Sequence, residues 1–177
     1  MHTVALSLGS NITPEPHLRE ALDALQARYG HLRTSSVFES ESVGFSGANF
    51  LNMVALIETE EALPELTQFL KDYEDEHGRQ RARPKFSGRT VDIDILTFGA
   101  ACGITDGIQL PRAEIIDNAY VLWPLSQVCF EEIHPLTGQT YGVLWAEYDK
   151  QRQRLWSIDF KWQGRWISRA GLKGNSE

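Results

Sequence analysis

Two aspartates separated by a single residue are the first feature of the sequence that could do chemistry. Asp92 and Asp94 lie within the run VDIDILTF at 91–98, whose β-branched and aliphatic residues predict a strand. Because side chains two apart on a strand point to the same face, the two carboxylates would stand about 7 Å apart. Oxygen ligands without a neighbouring His or Cys suit a hard cation such as Mg²⁺. Taken alone, the pair favours solvent-facing aspartates on a half-exposed strand, and a magnesium site is the alternative that the preceding segment strengthens.

A basic segment leads directly into this acidic strand. It places five cations within eleven residues: Arg79, Arg81, Arg83, Lys85 and Arg89. A polyphosphate needs a divalent cation between its oxygens and Arg or Lys beside the remaining charge. The spacing therefore favours a polyphosphate substrate. The alternative is a solvated loop whose cations pair with the acidic residues at 72–76.

Other common chemistries have no support in the sequence. It contains no GxxxxGK[ST] phosphate loop and no GxSxG nucleophile elbow, and its five histidines are scattered. Cys102 and Cys129 lack the spacing of a zinc site. These absences disfavour the common kinase folds, triad hydrolases and zinc proteins.

Six periodic segments would position the acidic pair and the basic loop. They are strands at 3–8, 32–39, 50–58 and 91–98, a helix at 16–29, and a helix that starts near Leu63 and ends at Gly78. This β-α-β-β-α-β order predicts an α+β protein with a ferredoxin-like βαββαβ sandwich and appended C-terminal elements.

The remainder of the chain gives weaker patterns. Residues 99–119 are interpreted as irregular, and 120–128 as either a strand or a helix. Alternating bulky residues around Gln163-Gly164 predict a terminal hairpin within 156–166. We expect a single domain over 1–177, with a core at 1–130 and a C-terminal extension at 131–177.

Composition narrows the class of partner. The chain has 177 residues and a net charge of −7, which argues against broad attraction to nucleic acid or to an anionic membrane. The sequence has no apolar run near the 18 or so residues needed to cross a bilayer and no signal-like N-terminus. We expect a cytoplasmic protein that acts on small molecules as a monomer or weak dimer.

Several segments together resemble one enzyme family, the 6-hydroxymethyl-7,8-dihydropterin pyrophosphokinases of folate biosynthesis. The resemblance spans Val4 to about Leu125. Its landmarks are LSLGSN at 6–11, FLN at 50–52, GRQRARPKFSGRTVDIDILTFG at 78–99 and YVLWPL at 120–125. It implies transfer of a pyrophosphoryl group from ATP to the hydroxymethyl oxygen of a reduced pterin, on a ferredoxin-like fold with two Mg²⁺.

The resemblance also implies roles for individual residues. Asp92 and Asp94 would bind the metals, and Arg79 and Arg89 match the catalytic arginines. The ATP-contact positions are Glu74, Arg81, Lys85, Phe86, Ile95 and Arg112. The pterin would lie between Phe50 and Tyr120, with Asn52 reading its edge and Val43 lining the same pocket. Without the resemblance, the sequence favours Phe50 and Tyr120 as core aromatics and Asn52 as an edge-strand polar residue.

The sequence departs from the family pattern mainly on the nucleotide side. Arg112 stands where the family usually has His, Ala113 follows it where an aromatic or Pro is common, and Asn118 replaces an Arg. Phe86-Ser87-Gly88 replaces the familiar Trp-Gly-Pro. These departures leave two further hypotheses: a diverged homologue that binds or modifies another reduced pterin, and a ferredoxin-like nucleic-acid binder that uses the basic loop.

Overall fold

The structure is a computed structural model that describes residues 1–41, 48–77 and 90–173. Its helices are α1 (Pro14–Tyr29), α2 (Leu63–Glu76), α3 (Glu114–Asp117), α4 (Ala119–Val128) and α5 (Tyr141–Glu147). Its strands are β1 (His2–Ser10), β2 (Arg33–Thr34), β3 (Phe38–Ser40), β4 (Phe50–Thr59), β5 (Asp92–Phe98), β6 (Gly103–Thr105), β7 (Ile108–Leu110), β8 (Leu155–Ser157), β9 (Phe160–Trp162) and β10 (Arg165–Ser168).

The main sheet is antiparallel, with the strand order β5-β1-β4-β3-β8 and with β2 also paired to β4. In the register, Gly9 of β1 lies between Asn52 of β4 and Asp92 of β5. The neighbouring position, Ser7, pairs with Asp94. β5 is therefore an outer strand whose two aspartates are fixed against the centre of the sheet.

Each face of the sheet is covered by helices. Leu6 and Leu8 belong to one buried cluster with the apolar stripes of α1 and α2. On the opposite face, Ala5, Val54 and Leu96 are buried with α4 and α5. Alternate side chains of β1 and β4 therefore pack into two cores, one on each face of the sheet, rather than into one core and solvent.

Helix α4 resolves the ambiguity at 120–128. Eight of its ten residues are buried, because it lies between the sheet and α5. A helix that is apolar on all sides gives no periodic signal in the sequence. Among the described residues, no helix is both long enough and apolar enough to cross a membrane.

Two other predicted segments need correction. The strand expected at 32–39 is two short strands, β2 and β3, because Ser35 between them bonds Val54 through both its backbone amide and its hydroxyl. The segment 99–119, expected to be irregular, contains the β6–β7 hairpin and α3. The hairpin turns at Asp106-Gly107, both with positive φ, as its two-residue loop requires.

The C-terminal segment closes over the first helix. β9 and β10 form a hairpin around Gln163 and Gly164, with φ of 52° and 77°. Trp162 Nε1 donates to Asp23 of α1 at 2.9 Å, and the hydroxyl of Ser168 accepts from Val37 N at 2.8 Å. The hairpin therefore ties α1 to the β3 side of the sheet.

His134 is a buried residue in an otherwise exposed turn, and it makes folding sensitive to acid. Its Nδ1 accepts hydrogen bonds from the backbone amides of Leu136 and Thr137, each at 3.2 Å, so the ring is neutral. Burial lowers the pKa of His134 below its usual 6.5. His134 therefore takes up a proton near pH 6.5 in the unfolded chain, and only at a lower pH in the folded chain.

We expect the free energy of unfolding to be highest above pH 6.5 and to fall as the pH drops below it. Urea unfolding at pH 7.5 and pH 5.5 should show a smaller loss for His134→Asn than for the unchanged protein. His31→Asn, at an exposed position, should keep the full loss. Equal pH dependence in all three proteins would contradict this role for His134.

Candidate active site on the α4 face of the sheet

The two aspartates lie on the sheet face that α4 covers. Asp92 and Asp94 pair with Gly9 and Ser7, and Leu96, farther along β5, is buried against α4 on the same side. The Asp94 side chain is 57% exposed, so its carboxylate reaches solvent beside the covered part of the face. The alternation predicted for 91–98 thus places both carboxylates on one accessible surface.

Glu74 at the end of α2 anchors the peptide between the aspartates. Its side chain is buried, and Oε2 accepts a hydrogen bond from Ile93 N at 2.6 Å. This amide points away from β1, and in the described part of the chain no strand pairs with β5 on that side. The structure shows this anchoring role for Glu74, and its predicted contact with ATP stays a prediction.

The turn after β1 fastens the segments that flank the site. The Ser10 hydroxyl donates to the carbonyl of Thr90, two residues before Asp92. Asn11 Nδ2 donates to the carbonyl of Ala48 at 3.2 Å, two residues before Phe50. The LSLGSN segment therefore holds the starts of β4 and β5 at one end of the sheet.

Asn52 lies in the centre of the sheet rather than at its edge. β4 is flanked by β1 and β3, which corrects the edge-strand interpretation. Its amide Nδ2 donates to Ser40 Oγ at 3.3 Å, and its Oδ1 lies 2.9 Å from the point where a Cβ on Gly9 would stand. Gly9 therefore leaves room for the Asn52 amide on the same row as Asp92.

Tyr120 lies on α4, near Ser40 of β3. It lies in the first turn of α4 and, with Ser40, Gln153 and Leu155, lines a cavity of about 320 Å³. Burial, together with the carboxylates of Glu114 and Asp94, raises the pKa of Tyr120, so its hydroxyl is neutral at pH 7. Phe50 pairs with Ser40 on β3. Both aromatics are partly buried, and Tyr120 packs against the α4–α5 core.

Arg112 and Ile95 meet at the acidic strand. Arg112 Nη2 lies 3.8 Å from Asp94 Oδ1, and its Nε donates to the carbonyl of Ile95 at 3.2 Å. The Ile95 side chain is 3% exposed in the α1–α2 core, so only its main chain faces the site. Asn118 Oδ1 accepts a hydrogen bond from Gln153 Nε2 at 2.8 Å.

Six predicted site residues lie outside the described residues: Val43, Arg79, Arg81, Lys85, Phe86 and Arg89. Their assignments stay predictions. Of the others, the structure brings Asp92, Asp94, Asn52, Phe50 and Tyr120 to one face of the sheet.

The donor set suits magnesium better than a transition metal. Within 1–41, 48–77 and 90–173 there is no group of three or more His, Cys, Asp or Glu placed to hold a metal. Mg²⁺ commonly takes one or two carboxylates and completes its shell with water and substrate phosphate oxygens. Two neighbouring aspartates on an accessible face fit that requirement.

Sequence reasoning missed Gly9, Ser40 and Gln153 as parts of this site. Gly9 lies in the LSLGSN motif, which by itself indicates no role for it, and Ser40 lies just beyond the strand predicted at 32–39. Gln153 is 34 residues from its α4 partner, so no local pattern points to it.

Comparisons with known proteins agree on one family. The family model described as 7,8-dihydro-6-hydroxymethylpterin-pyrophosphokinase (HPPK) matches residues 5–130. A Bacillus subtilis protein named 2-amino-4-hydroxy-6-hydroxymethyldihydropteridine pyrophosphokinase is 32% identical, over 88% of this chain and 92% of its own. A protein of the same name from Haemophilus influenzae is 34% identical, over 76% of this chain and 86% of its own.

Solved structures support the same fold. A Plasmodium falciparum HPPK-DHPS crystal structure superposes with a TM-score of 0.69 at 13% identity and covers 94% of this chain. The present chain spans about half of that longer protein, at 46%. At this identity the likeness supports a mixed α/β fold with an antiparallel sheet.

Proposed function

The chain belongs to the 7,8-dihydro-6-hydroxymethylpterin-pyrophosphokinase family of folate biosynthesis, and from this premise we propose the reaction that it catalyses. The hydroxymethyl oxygen of a reduced pterin attacks the β-phosphorus of ATP. A new O–P bond forms, the bond from that phosphorus to the α–β bridging oxygen breaks, and AMP leaves. The products are the pterin diphosphate, AMP and the proton released from the hydroxyl group.

One observation carries the proposal: the carboxylates and the groups suited to a heterocycle share one sheet face. Asp92, Gly9 and Asn52 lie in one row across three strands. The neutral Tyr120 hydroxyl is close enough to Asp94 for that carboxylate to raise its pKa. A planar polar ring between Phe50 and Tyr120 would stack on both aromatics and bond the Asn52 amide.

Asp92 and Asp94 would hold two Mg²⁺ ions with the phosphate oxygens of ATP. When bound there, the metal supplies charge neutralisation for the triphosphate and fixes its orientation. The residues of the chain position the carboxylates: β1 pairs with their strand, and Glu74 bonds the amide between them. Catalysis of this kind depends on positioning and electrostatics rather than on a covalent intermediate.

Three arginines are the proposed ligands of the ATP phosphates. Arg79 and Arg89 would neutralise the charge that develops at the β-phosphorus, and Arg112, beside Asp94, would pair with a phosphate oxygen. A guanidinium stays charged at every physiological pH, so Arg112 replaces the usual His without loss of charge. We further infer that the unit from β1 to β5 has the ferredoxin-like arrangement.

The reaction is tested by AMP formation from ATP, Mg²⁺ and 6-hydroxymethyl-7,8-dihydropterin with the purified protein. We expect AMP and the pterin diphosphate in equal amounts, and no product without Mg²⁺. Tight pterin binding without AMP above background would support the diverged-homologue hypothesis. If the protein neither binds the pterin nor forms AMP, the site assignment is overturned.

Gly9→Ala tests the pterin side of the site. The new methyl group would meet Asn52 Oδ1 at 2.9 Å and push the amide from its position. Loss of one hydrogen bond to the heterocycle costs about 1 kcal/mol, so we expect the KM for pterin to rise about fivefold to tenfold, with a smaller change in kcat.

A double-mutant cycle checks that the effect passes through Asn52. In an Asn52→Ala background, Gly9→Ala should change the pterin KM by less than twofold. An undiminished effect in that background would show that Gly9 acts through some other contact.

A further inference from the structure

Gln153 caps the helix that carries Tyr120. Its Oε1 accepts a hydrogen bond from Ala119 N at 2.7 Å, and its Nε2 donates to Asn118 Oδ1 at 2.8 Å. Asn118 is the N-cap residue of α4 and makes no side-chain cap bond of its own. A residue from the C-terminal segment therefore satisfies the first backbone amide of α4.

The loop that presents Gln153 is itself held in place. Tyr148 at the end of α5 donates its hydroxyl to the carbonyl of Asp117 at 3.0 Å. Asp149 turns the loop by accepting from Gln151 N and Arg152 N, each at 3.0 Å. The loop thus contacts the α3–α4 junction at two points, through Tyr148 and through Gln153.

These contacts lie beside the cavity that Tyr120 lines. Gln153 and Tyr120 line the same cavity of about 320 Å³, and Ser40, the partner of Asn52, lines it too. Tyr120 directly follows the residue whose amide Gln153 binds. A shift of the first turn of α4 would therefore move the Tyr120 ring relative to Asn52.

We propose that Gln153 is a positioning residue for pterin binding, which holds the Tyr120 ring at the distance from Phe50 that the heterocycle needs. This inference rests on the proposed function. It gives two residues of the C-terminal segment, Tyr148 and Gln153, a specific part in the affinity for pterin. It also explains Asn118 at a position where an Arg was expected, because its short amide pairs with Gln153 instead.

The test compares Gln153→Met, which keeps the length of the side chain without its hydrogen bonds, with Gln153→Glu. We expect Gln153→Met to raise both the pterin KM and the Kd for 6-hydroxymethyl-7,8-dihydropterin about tenfold. Its kcat and ATP KM should stay within twofold. Gln153→Glu should return the pterin constants to within about threefold, because a carboxylate accepts from Ala119 N and from a rotated Asn118 amide.

Gln151→Met is the matched control, since its side chain is exposed and its loop contact is made by its backbone amide. It should behave as the unchanged protein. A purely structural role would instead lower Tm and reduce kcat for Gln153→Met with an unchanged pterin KM, and that result would overturn the inference. If the unchanged protein makes no AMP, the proposed reaction fails, and the pterin Kd values still decide the role of Gln153.

Discussion

Asp94→Asn is expected to reduce kcat at least about 10³-fold while leaving pterin binding within about threefold. The substitution keeps the shape of the side chain and removes the charge that would hold a divalent cation against the triphosphate. Stabilisation of transition-state charge by a bound metal is worth several kcal/mol, and each 1.4 kcal/mol or so corresponds to tenfold in rate. The pterin contacts at Asn52 and Tyr120 involve other strands and helices, so stacking should persist.

The measurement is steady-state AMP formation together with a fluorescence titration of 6-hydroxymethyl-7,8-dihydropterin. Asp72→Asn provides the control, because it makes the same change of charge at an exposed position on α2, where Asp72 bonds Gln68. That variant should keep its activity within twofold. Full turnover by Asp94→Asn would exclude Asp94 as a metal ligand.

Segments whose apolar residues follow a regular pattern or a continuous run were predictable from the sequence. The first strand, both long helices and the strand at 50–58 match β1, α1, α2 and β4 to within a few residues. In α1 and α2 the apolar spacing follows from burial of one helix face, and in β1 and β4 the apolar runs follow from burial of both strand faces. The acidic pair was predictable for the same reason, since the residues that alternate with it fill the α1–α2 core.

Elements without that periodicity were not predictable in the same way. α4 is buried on all sides, so its sequence does not distinguish a helix from a strand. The β6–β7 hairpin did carry a readable signal, because Asp106-Gly107 is a favoured two-residue turn. The break at Ser35 was hidden, since it depends on a hydroxyl bond to Val54 across the sheet.

The residues of the candidate site also fall into those that the sequence predicts and those that it does not. Motif residues on strands, such as Asp92, Asp94 and Asn52, were found because the strand fixes where each side chain points. Ser40 and Gln153 were missed because each acts through a partner that is distant in sequence. Such supporting residues are defined by tertiary contacts, so a single sequence holds no local trace of them.

Glu74 is the supporting residue with the largest expected effect. Glu74→Ala leaves the amide of Ile93 without its buried partner, which should lower the free energy of unfolding by about 1–3 kcal/mol. It also frees the peptide that joins Asp92 to Asp94. Because misplacement of catalytic groups by about 1 Å costs on the order of 10²-fold in rate, kcat should fall by about that factor. Glu74→Gln, which keeps a carbonyl acceptor for Ile93 N, should lose less than tenfold.

Chemical denaturation and the kinetics of AMP formation together distinguish anchoring from a direct contact with ATP. An anchoring residue acts on the aspartates, so Glu74→Ala should lower kcat and raise the Mg²⁺ concentration needed for half-maximal rate, with little change in ATP KM at saturating metal. A direct ligand of ATP would instead raise ATP KM and leave stability unchanged. Glu76→Ala, at an exposed position on the same turn of α2, should leave both the kinetic constants and the stability unchanged. Because Glu74 is buried and already bonded to β5, the geometry favours the first outcome.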